Sequence, residues 1–145
     1  MASTPYATTV GCAQYPDLIP ITIPVFAASA IANGDELVAY TPGFNFEVVK
    51  IDFVTVTPIT TGGKTATFVP KIGSTAIAGG TSTALAGAQA KGVAVTVWLQ
   101  NQSPQALHIY GKPTDTVGLT ASAVTAFTEG AGYFLMQIRN VGNLA

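Results

Sequence analysis

Charge and reactive side chains are what this sequence has least of. Six Lys plus Arg, seven Asp plus Glu, one His and one Cys are spread over 145 residues, so 9% of the chain is charged, against about 25% in ordinary soluble domains. One His and one Cys exclude an internal disulfide, a zinc site of several His and Cys ligands, and a catalytic relay with a spare imidazole. A net charge of −1 offers no basic field to a phosphate backbone or an anionic bilayer, so neither nucleic acid nor membrane is expected as a partner. Pro, Gly or a polar residue interrupts every apolar run well before the roughly 20 residues that a spanning helix needs. Met1 to Gly11 lacks the basic and apolar parts of a secretory signal, which predicts a cytoplasmic start for the chain. The sequon at Asn101, Gln102 and Ser103 is then without consequence, and Cys12 reads as a small reduced thiol, buried or half-buried.

What is present is Val, Ile, Phe and Thr in short runs, separated by Gly and Pro. Residues 1–18 stand apart, with Pro5, Tyr6, Tyr15 and Pro16 in a polar scatter without period. They read as an extended N-terminal arm, either docked on a neighbour or lying along its own domain. From Ile19 the period becomes two, and Pro20 and Pro24 confine that strand to a sheet edge. Asn33-Gly34 signals a turn before Glu36 to Thr41.

The run Phe44 to Thr57 carries Phe44, Phe46 and Val48 on one face and Val49, Ile51 and Phe53 on the other. A bulge or bend near Val48 and Val49 would turn both triplets inward. Further strands are expected at Thr65 to Ile72, at Ala76 to Ala86 as two short pieces or one kinked one, and at Val93 to Gln100. Three more fall at Ala106 to Tyr110, Thr116 to Ala123 and Gly132 to Asn140. Trp98 falls opposite Val93, Val95, Val97 and Leu99, so it either covers a second core or sits in a subunit contact. No segment of ten residues has a helical period, and Thr83 to Gln89 has room for one helical turn at most. The reading is an all-β jelly roll or β-sandwich of about eight short antiparallel strands over residues 19–145, behind the arm of residues 1–18.

Few residues offer chemistry. Gly62, Gly63, Lys64 and Thr65 imitate the end of a phosphate-binding loop, but the motif's first Gly position holds Pro58 and a strand follows in place of a helix, so a hairpin turn is expected. His108, in the apolar run Leu107 to Tyr110, has only Asp115 nearby and reads as a packed or interface histidine. Asp35, Glu36, Glu47, Asp52 and Glu129 are the carboxylates available for glycoside hydrolysis, without a marked pair among them. No dense Asp/Asn loop suits calcium. Catalytic, cofactor and metal sites are therefore all expected to be absent, and Pro5, Tyr6, Tyr15, Pro16, Trp98 and His108 are the candidate interface residues.

The C-terminal run from Val124 to Gly132 with its closing strand Tyr133 to Asn140 resembles small jelly-roll head proteins of tailed bacteriophages. So does the middle segment, Ile51 to Pro58, Thr65 to Ile72 and Ala78 to Thr81. The similarity spans about residues 44–140 and rests on strands and turns. The class it implies is the decoration or cement proteins: a homotrimer on the capsid surface, with an N-terminal segment gripping the major capsid protein, no cofactor and no catalysis. A head-fibre or tail-associated module, or a carbohydrate-binding module using Trp98 or Tyr110, is the alternative. A sandwich-fold hydrolase using Glu129 or Asp52 is a third.

Overall fold

Two antiparallel sheets packed face to face account for nearly all of the regular secondary structure of the computed structural model, which describes residues 18–25, 27–100 and 110–142. The strands are β1 (Leu18–Val25), β2 (Glu36–Tyr40), β3 (Phe46–Thr57), β4 (Thr65–Ile72), β5 (Thr75–Ala76), β6 (Thr81–Ser82), β7 (Leu85–Ala86), β8 (Ala94–Leu99), β9 (Tyr110–Gly111), β10 (Val117–Thr125) and β11 (Ala131–Asn140). Sheet one runs β1-β11-β3-β8-β6, with β9 also paired to β3. Sheet two runs β2-β10-β4-β5, with β7 also paired to β4. The only helical piece among the described residues is one 3₁₀ turn at Ala28–Ala30.

With β5 and β7 counted as one position and the pieces β6 and β9 set aside, eight strand positions remain. Their order is 1-8-3-6 in one sheet and 2-7-4-5 in the other, which is the double Greek key of a jelly roll. The expected all-β sandwich is therefore present, while the expected arm lies outside the described residues. The first described strand begins at Leu18, opposite Arg139, one residue before the expected start.

Alternation builds the core. Phe134, Met136 and Ile138 of β11, Ala66, Phe68 and Ile72 of β4, and Val117, Leu119 and Ala121 of β10 are all buried, and their neighbours in sequence are less so except Gly118, which is buried too. Phe134 links the sheets: its ring lies 5.1 Å from Phe53 in its own sheet and 4.6 Å from Phe68 in the other, both edge-on. That geometry favours the ring quadrupoles as well as burial.

Two local expectations hold, the first for Phe46, Val48, Ile51 and Phe53 but not for Phe44 and Val49, which are only half-buried. Gln137 faces Lys50 and the next residue, Ile138, faces Val48, so Val49 is the extra residue of a bulge. Phe46, Val48, Ile51 and Phe53 all point inward as a result. β1, with exposed Pro20 and Pro24, is an edge strand paired only to β11; the prolines are four residues apart, so both missing donors fall on one side of the strand.

Other expectations are corrected. The Gly62-Gly63 turn does not close a hairpin, because β3 and β4 belong to different sheets and the turn carries the chain across the core. Residues 75–86 form three two-residue pieces, with β5 and β7 going to sheet two and β6 to sheet one. Of the strand expected at Ala106 to Tyr110, only Tyr110 lies among the described residues, and there it begins β9.

Candidate functional site

The described carboxylates are held mainly in structural bonds. Glu47, 5% exposed, pairs with Arg139 at 2.7 Å and accepts from the Gln100 amide at 3.3 Å. Asp52 pairs with Lys50 at 3.4 Å and accepts from the Thr96 hydroxyl at 2.7 Å. Glu36 pairs with Lys71, and Asp35 accepts the Ala32 amide proton at 2.8 Å.

Glu129 closes the loop between β10 and β11 onto Thr61. One oxygen accepts the Thr61 N–H and the other the Thr61 hydroxyl, both at 2.9 Å, and Thr128 adds a third bond at 3.1 Å. The backbone bond from Thr61, then its hydroxyl, hold the Glu129 carboxyl below its ordinary value, with a smaller contribution from Thr128. Gly130, next along, has φ +96° and lies against the Pro58 carbonyl and the Ile59 side chain, so no larger residue fits without strain. Such a carboxylate is a loop clamp. No group of three or more His, Cys, Asp or Glu suited to a metal occurs among the described residues.

Trp98 is 0% exposed. Ile51 faces Trp98 and Asp52 faces Thr96, so Val97 is an extra residue and both Val97 and Trp98 turn inward. The indole N–H donates to the Gly79 carbonyl at 3.3 Å and the ring lies against Gly80, where a Cβ would come within 2.6 Å of it. Trp98 covers core within its own chain and has no surface left for a partner, which corrects its assignment to an interface. Leu99, expected inside, is exposed for the same reason, whereas Val93, also expected inside, is exposed because it lies just before β8 begins. Pro5, Tyr6, Tyr15, Pro16 and His108 lie outside the described residues.

The two outer faces of the sandwich differ. On sheet one the strand register sets Pro24, Tyr133, Val54 and Ala94 in one row. Thr22, Leu135, Asp52 and Thr96 form the next, and Pro20, Gln137, Lys50 and Leu99 the third. The charges in these rows are Lys50 and Asp52, and they neutralise each other. On sheet two, Lys71 lies beside Gly118, Val69 beside Thr120, Thr67 beside Ser122 and Thr65 beside Thr125, with Glu36 across from Thr120. That face is mostly hydroxyl. The residues of the sheet-one face were not singled out from the sequence, although its period-two pattern, read through the Val49 bulge, contains them.

No protein-family model, curated protein or solved structure matches the chain.

Proposed function

We propose that this chain is a structural virion protein without enzymatic activity: a jelly-roll decoration or cement protein that binds the major capsid protein on the outside of a bacteriophage head as a homotrimer. The observation that carries the reading is the outer face of sheet one, where Pro20, Pro24, Val54, Ala94, Leu99, Tyr133 and Leu135 lie among Thr22, Thr96 and Gln137 around the Lys50–Asp52 pair, with the Arg139–Glu47 pair in the bordering row. Burying such a face against a partner removes apolar area from water and desolvates few charges.

Size explains why copies must act together. Four strands at about 4.8 Å and three rows at about 6.7 Å give a face of roughly 400 Å². A stable interface takes about 800 Å² per partner, so one copy binds weakly, whereas three copies on a three-fold site, each with an arm, bind with avidity. A protein that binds only the assembled shell stabilises it by mass action and needs no reaction. The involvement of the bonded carboxylates in structural contacts also speaks against the hydrolase reading.

The test uses capsids stripped of this protein, from the virus that carries the gene. Sedimentation should show a trimer that cosediments with the capsids and raises their thermal resistance. Removing residues 1–17 leaves β1 whole and should abolish cosedimentation while the trimer persists. A monomer that ignores capsids would overturn the proposal; binding retained without residues 1–17 would remove the arm from it.

A further inference from the structure

At one end of the sandwich, the turn joining β4 to β5 and the segment from β9 to β10 enclose an open depression of about 380 Å³, lined by Ile72, Gly73, Ser74, Thr75, Tyr110 and Asp115. Its size is at the low end for small-ligand sites, which run from about 300 to 1,000 Å³. Tyr110 is 47% exposed, the most open aromatic ring among the described residues. Its backbone is nevertheless held in the sheet, because Tyr110 pairs with Glu47 and the next residue, Gly111, lies directly against the buried Phe46 ring.

Asp115 is held too. Its Oδ2 accepts the Lys112 N–H at 2.8 Å and its own N–H donates to the Lys112 carbonyl at 3.0 Å. Its second oxygen bonds no described residue, and neither do the hydroxyls of Ser74, Thr75 and Tyr110. An exposed aromatic ring on a paired strand therefore shares one depression with an ionisable acceptor and three hydroxyls that bond no other described residue.

A pyranose ring matches that combination, with a C–H face that packs on an aromatic ring and hydroxyls that donate to a carboxylate. Among the described lining residues the one charged side chain is the Asp115 carboxylate, which repels acidic sugars. We propose that the depression binds one neutral hexopyranoside unit of a glycan, stacked on Tyr110 and hydrogen-bonded by Asp115. The site uses none of the residues in the three sheet-one rows assigned to capsid contact, so sugar binding by the free protein stands or falls independently of capsid binding. On a virion it would give the bound protein a weak, many-copy grip on polysaccharide.

The test is a ¹⁵N-labelled titration of the full-length protein with the methyl β-pyranosides of galactose, glucose and mannose, and with methyl glucuronide as the acidic control. The expected result is millimolar binding of at least one neutral sugar, with shifts confined to the amides of Gly73, Thr75, Gly111 and Asp115, and weaker binding of the glucuronide. Tyr110→Ala should weaken binding by about tenfold or more, and Tyr110→Phe should keep it. Asp115→Asn retains an acceptor for the Lys112 amide, so it should preserve the turn while binding less tightly. No shift with any neutral sugar, or an affinity unchanged in both Tyr110→Ala and Asp115→Asn, would overturn the proposal.

Discussion

The two faces of this sandwich hang on one core yet present opposite chemistries to the outside. Sheet one shows prolines, Leu135, Val54, Leu99 and Tyr133, with Lys50 and Asp52 cancelling each other; sheet two shows Thr65, Thr67, Thr120, Ser122 and Thr125, with Lys71 tied to Glu36. Threonine suits a strand facing water, since its β-branch fits the pleat and its hydroxyl stays solvated. Apolar residues on an outer face have no such local reason. In a protein this poor in charge, that difference is the basis on which sheet one is proposed as the contact face.

The sharpest way to break the comparison is to remove what both faces share. Phe134→Ala deletes the ring that joins Phe53 to Phe68 and should cost about 3–5 kcal/mol in denaturant unfolding. Both sheets should be lost in one transition; two separate transitions would mean that the faces do not depend on a common core. Arg139→Ala acts at the sheet-one end alone, where it strips the buried Glu47 of its ion pair. Because the Arg139 side chain is 44% exposed, the loss should be about 1–2 kcal/mol, short of the ~3–5 for a fully buried pair.

Ala123→Gly acts on sheet two. Ala123 has φ 49° at the register shift between Ser122 and Thr125, a conformation that costs an L-residue about 1 kcal/mol and glycine almost nothing. The greater unfolded-state freedom of glycine offsets part of that, so a gain of a few tenths of a kcal/mol in thermal unfolding is expected. Smallest is the Glu129 clamp. Its folded carboxyl titrates below the ordinary 4.5, so its stabilisation is full above that pH and fades as pH falls through the lower folded value. The Thr61 amide resonance should move in that window, and in Glu129→Gln it should not.

The sequence disclosed those features that depend on residues close together along the chain. The Val49 bulge was legible because two apolar triplets of opposite parity stood side by side, and the edge position of β1 because Pro20 and Pro24 lack donors. The place of Trp98 is not legible because a bulge at Val97 shifts parity by one, and in Val97-Trp98-Leu99, three apolar residues in succession, nothing marks the extra residue. Gly62-Gly63 was read as a hairpin because a turn within a sheet and a turn across the core use the same residues; only the pairing of β4 with β10 separates them. The candidate surfaces were less legible still, since the sheet-one face gathers residues from β1, β3, β8 and β11, and Tyr110 meets Ser74 and Thr75 only through the fold.

The account rests most heavily on sheet one being the face that meets the shell, and paired charge insertions measure this directly. Val54→Lys with Leu135→Lys on sheet one should leave thermal unfolding nearly unchanged and weaken cosedimentation with stripped capsids by about tenfold or more, whereas Thr67→Lys with Ser122→Lys on sheet two should leave binding intact. Equal losses from both pairs, or a loss only from the sheet-two pair, would contradict it.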